Sequence, residues 1–119
     1  MQRTEWGQKR RASENAERGF QDAVIKLALS TGWEQFHVYN SSHSRKGFPD
    51  LVLFRERVLF IELKARSRLT GRMGKLMPEQ EHFRDIIQAA GSQWYLWTDE
   101  DWDEIAQVLK KPGQTARIV

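Results

Sequence analysis

Apolar positions along the chain follow two periods. Phe20, Ala23, Val24, Leu27 and Ala28 fall at i, i+3, i+4, i+7 and i+8, one stripe on a helix. This spacing predicts a helix from about Ser13 to Thr31, with Gly32 as its C-terminal cap. Phe36-His37-Val38-Tyr39 alternates like a strand, and the polar stretch from Asn40 to Gly47 reads as a loop. Leu51–Phe54 and Val58–Leu63 are apolar runs joined by Arg55-Glu56-Arg57, a hairpin pattern. Residues 65–77, with Gly71 and Gly74, read as a long basic loop. Pro78 suits the first turn of a helix that carries Phe83, Ile86, Ile87 and Ala90 and stops at Gly91. Gln93–Trp97 predicts another strand, and Thr98 a cap for a last helix bearing Trp102, Ile105, Ala106 and Leu109. The order α-β-β-β-α-β-α predicts an α/β fold, a mixed β-sheet flanked by helices. Residues 1–12 read as a flexible basic arm, 13–110 as one domain and 111–119 as a C-terminal tail.

Composition fits that picture. The chain has 119 residues, 39% apolar and 29% charged, the balance of one folded domain with a modest core. No uninterrupted apolar run exceeds four residues, whereas a membrane span needs about 20. The basic N-terminus is not followed by an apolar segment, so it does not read as a secretory signal. The absence of cysteine removes disulfides, thiolate metal sites and thiol nucleophiles. The expected setting is cytoplasmic.

The net charge is only +3, but it is unevenly spread. Lys64, Arg66, Arg68, Arg72 and Lys75 occur with no intervening acid, and Arg3, Lys9, Arg10 and Arg11 crowd the N-terminus. Five of the six residues from Asp99 to Glu104 are acidic. One side of such a molecule attracts a polyanion while the whole stays soluble. Solvated loops are the plain alternative.

The hairpin carries the candidate chemistry. With a three-residue turn, Phe54 faces Val58, and the same register sets Asp50 opposite Glu62. Side chains alternate at period two, so Glu62, Lys64 and Asp50 share a face. Opposed Cβ atoms lie roughly 4.5–5.5 Å apart, and like charges there repel. Apolar neighbours on both faces imply that the strands are covered on both sides. A divalent cation neutralises two carboxylates at such an edge, and magnesium also keeps waters in its shell. Lys64 can sit beside it, orienting or deprotonating a water or balancing phosphate charge. The competing reading is strand-end solvation or a simple Glu62–Lys64 salt bridge, and a one-residue register slip would send Asp50 to the other face.

The ordered residues resemble a known family. Gly47-Phe48-Pro49-Asp50 followed after eleven residues by Glu62-Leu63-Lys64 looks like the PD-(D/E)xK nuclease motif. Around it stand Glu17-x-x-x-Gln21, Gly32-Trp33, His37, Asn40-Ser41-Ser42, Ala65, Glu79-Gln80 and Ala90-Gly91 before a strand containing Trp97. This order resembles the VRR-NUC family across about residues 14–109. The resemblance implies a restriction-endonuclease-like core and magnesium- or manganese-dependent hydrolysis of DNA. It implies Asp50, Glu62 and the backbone carbonyl of Leu63 as metal ligands and Lys64 as the catalytic lysine. It also implies Glu17 as an additional acid at the metal or its water, and Gln80 as an active-site glutamine at the scissile phosphate. Small stand-alone members look like homodimeric resolvases of four-way DNA junctions, and two active sites are what symmetric resolution requires.

Other residues are weighed on their own. Glu14 competes with Glu17. His37 lies opposite Phe36 and Val38, either in the cleft or as a hydrogen-bonded structural residue. His43 and His82 lack zinc-ligand spacing, and Ser41, Ser42 and Ser44 form no triad pattern. Arg45, Lys46, Arg66, Arg68, Arg72 and Lys75 are the candidate DNA-backbone contacts. Trp94 and Trp97 read as core or dimer contacts rather than a base-stacking platform, and Trp6 as either of these. The sequence thus reads as a metal-dependent, structure-specific DNA endonuclease using Mg2+, with Mn2+ able to substitute. It is expected to be a homodimer on branched DNA, without a membrane, nucleotide or organic cofactor. The alternatives are a flap or general DNA nuclease of the same fold and a non-catalytic DNA-binding module.

Overall fold

A computed structural model describes residues 5–38, 45–113 and 116, with side chains from Ala16 onward in the first helix. The elements are α1 (Glu5–Ser30), β1 (Glu34–His37), β2 (Leu51–Phe54), β3 (Val58–Lys64), α2 (Pro78–Ala89), β4 (Gln93–Thr98) and α3 (Trp102–Leu109). The four strands form one mixed sheet in the order β1-β2-β3-β4. β1–β2 and β2–β3 are antiparallel, whereas β3–β4 is parallel and bridged by α2, the crossover that parallel neighbours require. The architecture is α/β.

The two sheet faces are covered differently. Leu51, Leu53, Leu59, Ile61 and Leu63 point to one face and pack with Phe20, Val24, Leu27 and Ala28 of α1 and with Ile105 and Leu109 of α3. On the other face, Phe83 of α2 meets Phe48, which in turn meets Phe60 of β3, both edge to face. The cover on both faces expected for the hairpin strands is met around Val52, Phe60 and Glu62 but not at the turn end, where Phe54 and Val58 are exposed because α2 does not reach them.

The hairpin turn has a role that its sequence did not reveal. Neither α1 nor α3 has a basic residue in its last turn. Arg55 and Arg57 supply that charge from the turn. Arg55 donates to the carbonyls of Thr31 (2.8 Å) and Lys110 (3.0 Å), and Arg57 to that of Val108 (2.9 Å). These are the free carbonyls and the negative dipole ends of the two helices. The Arg55 guanidinium also stacks 4.2 Å from the centre of the Trp33 ring, whose Nε1 donates to Leu109 O.

Several boundaries differ from expectation. α1 begins at Glu5 rather than near Ser13, so part of the segment read as an arm is helical; Gln8, Lys9, Arg10, Arg11 and Ala12 all have good helix propensity, which needs no apolar stripe. Ala23 is exposed, and Ala16 completes the buried stripe instead. β1 starts at Glu34, two residues early, because its pairing with β2 runs from Glu34–Phe54 to His37–Leu51. Tyr39, the Asn40-Ser41-Ser42 stretch, His43 and Ser44 lie outside the described residues, as do the side chains of Trp6 and Glu14. Thr98 does not cap α3. Its N–H and hydroxyl instead donate to Asp101 Oδ2, and Asp101 is the cap, because a turn from Thr98 to Asp101 precedes the helix. Gly32 takes φ +91 at the end of α1, as its capping role requires.

The basic segment 65–77 is more ordered than a loop. Arg66 and Met73 form an antiparallel bridge, Ser67 N–H donates to Arg72 O, and Gly74 N–H to Ala65 O. The segment folds back on itself as a short hairpin, with Ser67 buried at its base. No helix is long and apolar enough to cross a membrane among the described residues.

Candidate active site

The β2–β3 register fixes the site. Leu51 pairs with Ile61, Val52 with Phe60, Leu53 with Leu59 and Phe54 with Val58, the alignment expected from the turn. Asp50 comes one residue before β2 and continues this register toward Glu62. Its Oδ2 accepts the Leu63 backbone N–H at 2.9 Å, closing the sheet where β2 begins. The N–H and C=O of a strand residue leave the same edge, so the Leu63 carbonyl is directed to the side where Asp50 stands.

Glu62 is the unusual group. It is 1% exposed, in the middle of a sheet face, on a strand otherwise rich in apolar residues. Its Oε1 accepts the Gln80 side-chain amide at 3.0 Å and lies 3.9 Å from Lys64 Nζ. Its Oε2 is buried and has no hydrogen-bond partner among the described residues. Burial, then the neighbouring Asp50 carboxyl, push the Glu62 carboxyl up to about 10; Glu17 adds to this, and Lys64 opposes it. A buried carboxylate with an unengaged lone pair is costly unless a proton or a cation meets it.

Gln80 reaches Glu62 because the start of α2 holds it. Pro78 takes the first helical turn, and the Gln80 side chain turns back to the backbone of Met77 at the N-cap. The Gln80 Oε1 accepts Met77 N–H at 2.8 Å, which leaves its NH2 group to face Glu62. Gly74, on the return limb of the basic hairpin, lies against Lys64 and Glu17. A Cβ there would stand 3.2 Å from Lys64 Cδ and 3.6 Å from a Glu17 carboxylate oxygen. The residues singled out from the sequence, Glu17, Asp50, Glu62, Lys64 and Gln80, therefore gather from α1, the start of β2, β3 and α2.

Not every candidate joins them. His37 is on the opposite sheet face, with its Nε2 2.7 Å from the Gln21 side-chain nitrogen of α1, the structural alternative. Arg66 is committed to Glu100 and to the Gly71 carbonyl, so it braces the basic hairpin. Arg68, Arg72 and Lys75 are exposed on that hairpin and have no ion-pair partner among the described residues. Arg45 lies 5.1 Å over the Phe83 ring, and Lys46 is exposed beside it. Trp97 is fully buried, and Trp94, three residues away and so on the other face, is half-buried. Among the described residues no group of three or more His, Asp or Glu side chains is arranged to hold a metal ion.

Comparison with protein-family models and with curated proteins returns no match.

Proposed function

We propose that the chain is a metal-dependent DNA endonuclease with a restriction-endonuclease-like core, of the VRR-NUC type that its motifs resemble. The observation that carries this reading is Glu62: a buried carboxylate with one unsatisfied oxygen, set beside Asp50 and Lys64. A salt bridge to Lys64 is an incomplete explanation, since it engages Oε1 at 3.9 Å and leaves Oε2 alone.

The donor set suits magnesium. Two carboxylates and one carbonyl, from Asp50, Glu62 and Leu63, leave room for the waters that magnesium retains. Bound there, Mg2+ or Mn2+ would polarise a phosphodiester and acidify water. The protein's own contribution is positioning. The Leu63 N–H fixes Asp50, and Gln80 fixes Glu62. Lys64, confined by Gly74, keeps its ammonium beside Glu62, where it can exchange a proton with water or offset phosphate charge. Glu17 supplies further negative charge near Glu62 and can accept a proton from water. The hairpin bearing Arg68, Arg72 and Lys75 begins directly after Lys64 and offers phosphate contacts next to the site.

The substrate proposed is branched DNA, a four-way junction cut by a homodimer. Support for self-association comes from the uncovered part of the sheet. Phe36 (60% exposed), Phe54 (42%) and Val58 (39%) share one face, a cluster of the kind that marks interaction surfaces. Cleavage of labelled four-way, flap, splayed and linear DNA with magnesium, manganese or calcium tests the proposal. Paired symmetric cuts in the four-way junction support it. Equal cutting of linear duplex removes the junction preference. Binding without cutting under every metal leaves a DNA-binding module.

A further inference from the structure

A second feature flanks the acid site. An open pocket of about 260 Å³ is lined by Arg45, Lys46, Pro78, Glu79, His82 and Phe83. It exists because two segments are pinched together. Gly47 has φ +93, and a Cβ on it would lie 2.3 Å from the Glu79 backbone oxygen, so only glycine lets this loop sit against the first turn of α2. On one side of the pinch, Asp50 and Gln80 go to the acid site. On the other, Arg45, Lys46 and His82 surround the pocket.

We propose that this pocket binds one nucleotide unit of the strand being cut, with a phosphate next to the scissile one held by Arg45 and Lys46. This rests on the nuclease reading above. Neither cation has an ion-pair partner among the described residues, so each is available to an anion. Arg45 is held over the Phe83 ring, and that ring is fixed by Phe48, so the guanidinium is steadied before a ligand arrives. The ring of His82 borders the cavity and offers a flat surface and a hydrogen-bonding edge to sugar or base. Glu79 is the one acid in the lining. Two basic side chains therefore face one acidic one, which suits a single phosphate rather than a cluster. At about 260 Å³ the pocket is too small for a duplex. Gly47 precedes Asp50 by three residues, at most about 10 Å of extended chain, so the pocket lies within a few nucleotide steps of the acid pair.

The probe is deoxythymidine 3′,5′-bisphosphate, added to the full chain in EDTA and followed by the NMR signals of the His82 ring. The wild type should show saturable shifts, with affinity lowered about tenfold in Arg45→Ala and in Lys46→Ala. Inorganic phosphate should bind more weakly than the bisphosphate. In parallel, binding to labelled branched DNA in calcium should lose about one phosphate contact in its salt dependence for each variant. Unmoved His82 signals, or bisphosphate affinities in both variants equal to the wild type, overturn the pocket even if the enzyme cuts DNA. Shifts that depend on Arg45 and Lys46 support the pocket even if no DNA is cut, in which case the nuclease reading alone falls.

Discussion

The side chain of Gln80 donates to Glu62 Oε1 at 3.0 Å while its other end accepts the Met77 N–H at 2.8 Å. One amide thus starts a helix and orients the buried acid. Gln80→Ala removes both bonds. Helix α2 should lose about 1 kcal/mol, read as a lower midpoint in denaturant, and DNA cleavage should slow by roughly tenfold or more. Gln80→Glu keeps the cap acceptor but adds a carboxylate next to Glu62. It should therefore restore neither the full stability nor the rate. Full activity in Gln80→Ala would show that Glu62 does not depend on it.

The raised Glu62 carboxyl predicts an inverted pH response in the absence of metal. Its folded-state value, about 10, is above the ordinary 4.5. Between these values the folded state holds a proton that the unfolded chain has lost, so stability is full below pH 4.5 and declines as pH rises toward 10. The slope from this group approaches about 1.4 kcal/mol per pH unit. Denaturant unfolding in EDTA at pH 5, 7 and 9 should show the decline. Glu62→Gln should flatten it and be more stable than the wild type at pH 8, by roughly 1–3 kcal/mol. A wild type that gains stability over this range, with Glu62→Gln unchanged from it, would contradict the assignment.

Divalent cations should reverse that decline. At pH 8, magnesium or manganese should raise the melting temperature of the wild type by several degrees, following mass action. The shift should shrink strongly in Asp50→Asn and in Glu62→Gln. An equal shift in all three proteins would place the cation elsewhere.

The exposed cluster on the sheet predicts the assembly state. Light scattering should give a mass near twice the 14.0 kDa of the chain, and Phe54→Glu should return it to the monomer value. A monomeric wild type at micromolar concentration would remove the two-fold arrangement.

Arg55 separates folding from chemistry. Arg55→Ala strips carbonyl partners from two helix ends and a cation from Trp33, and should cost about 2 kcal/mol. Cleavage at a temperature where the variant stays folded should be near wild type, because Arg55 lies at the turn end of the hairpin, away from Asp50 and Glu62.

Much of this arrangement was legible in the sequence because it depends on local periodicity. The three-residue turn and the alternation of Leu51–Phe54 against Val58–Leu63 determined the register, and with it the meeting of Asp50 and Glu62. What stayed hidden depends on contacts distant in sequence. Nothing near Arg55 or Arg57 indicates that helix ends 24 and more residues away need their charge. The pairing of Arg66 with Glu100 crosses 34 residues, so Arg66 looked as free as Arg68. The pocket beside Phe83 needs the closeness of Gly47 to Glu79, which the glycine hints at only as a turn. Thr98 misled because Thr and Asp are both good caps, and the preceding turn decided between them.

The central claim is that Asp50, Glu62 and Lys64 act together on a phosphodiester, and single-turnover cleavage of a four-way junction tests it most directly. With wild type, Asp50→Asn and Lys64→Ala each saturating the same labelled junction, magnesium should release product from the wild type at least about a hundredfold faster than from either variant. Equal rates in all three proteins, or no product from wild type with any metal while the junction is fully bound, would contradict it.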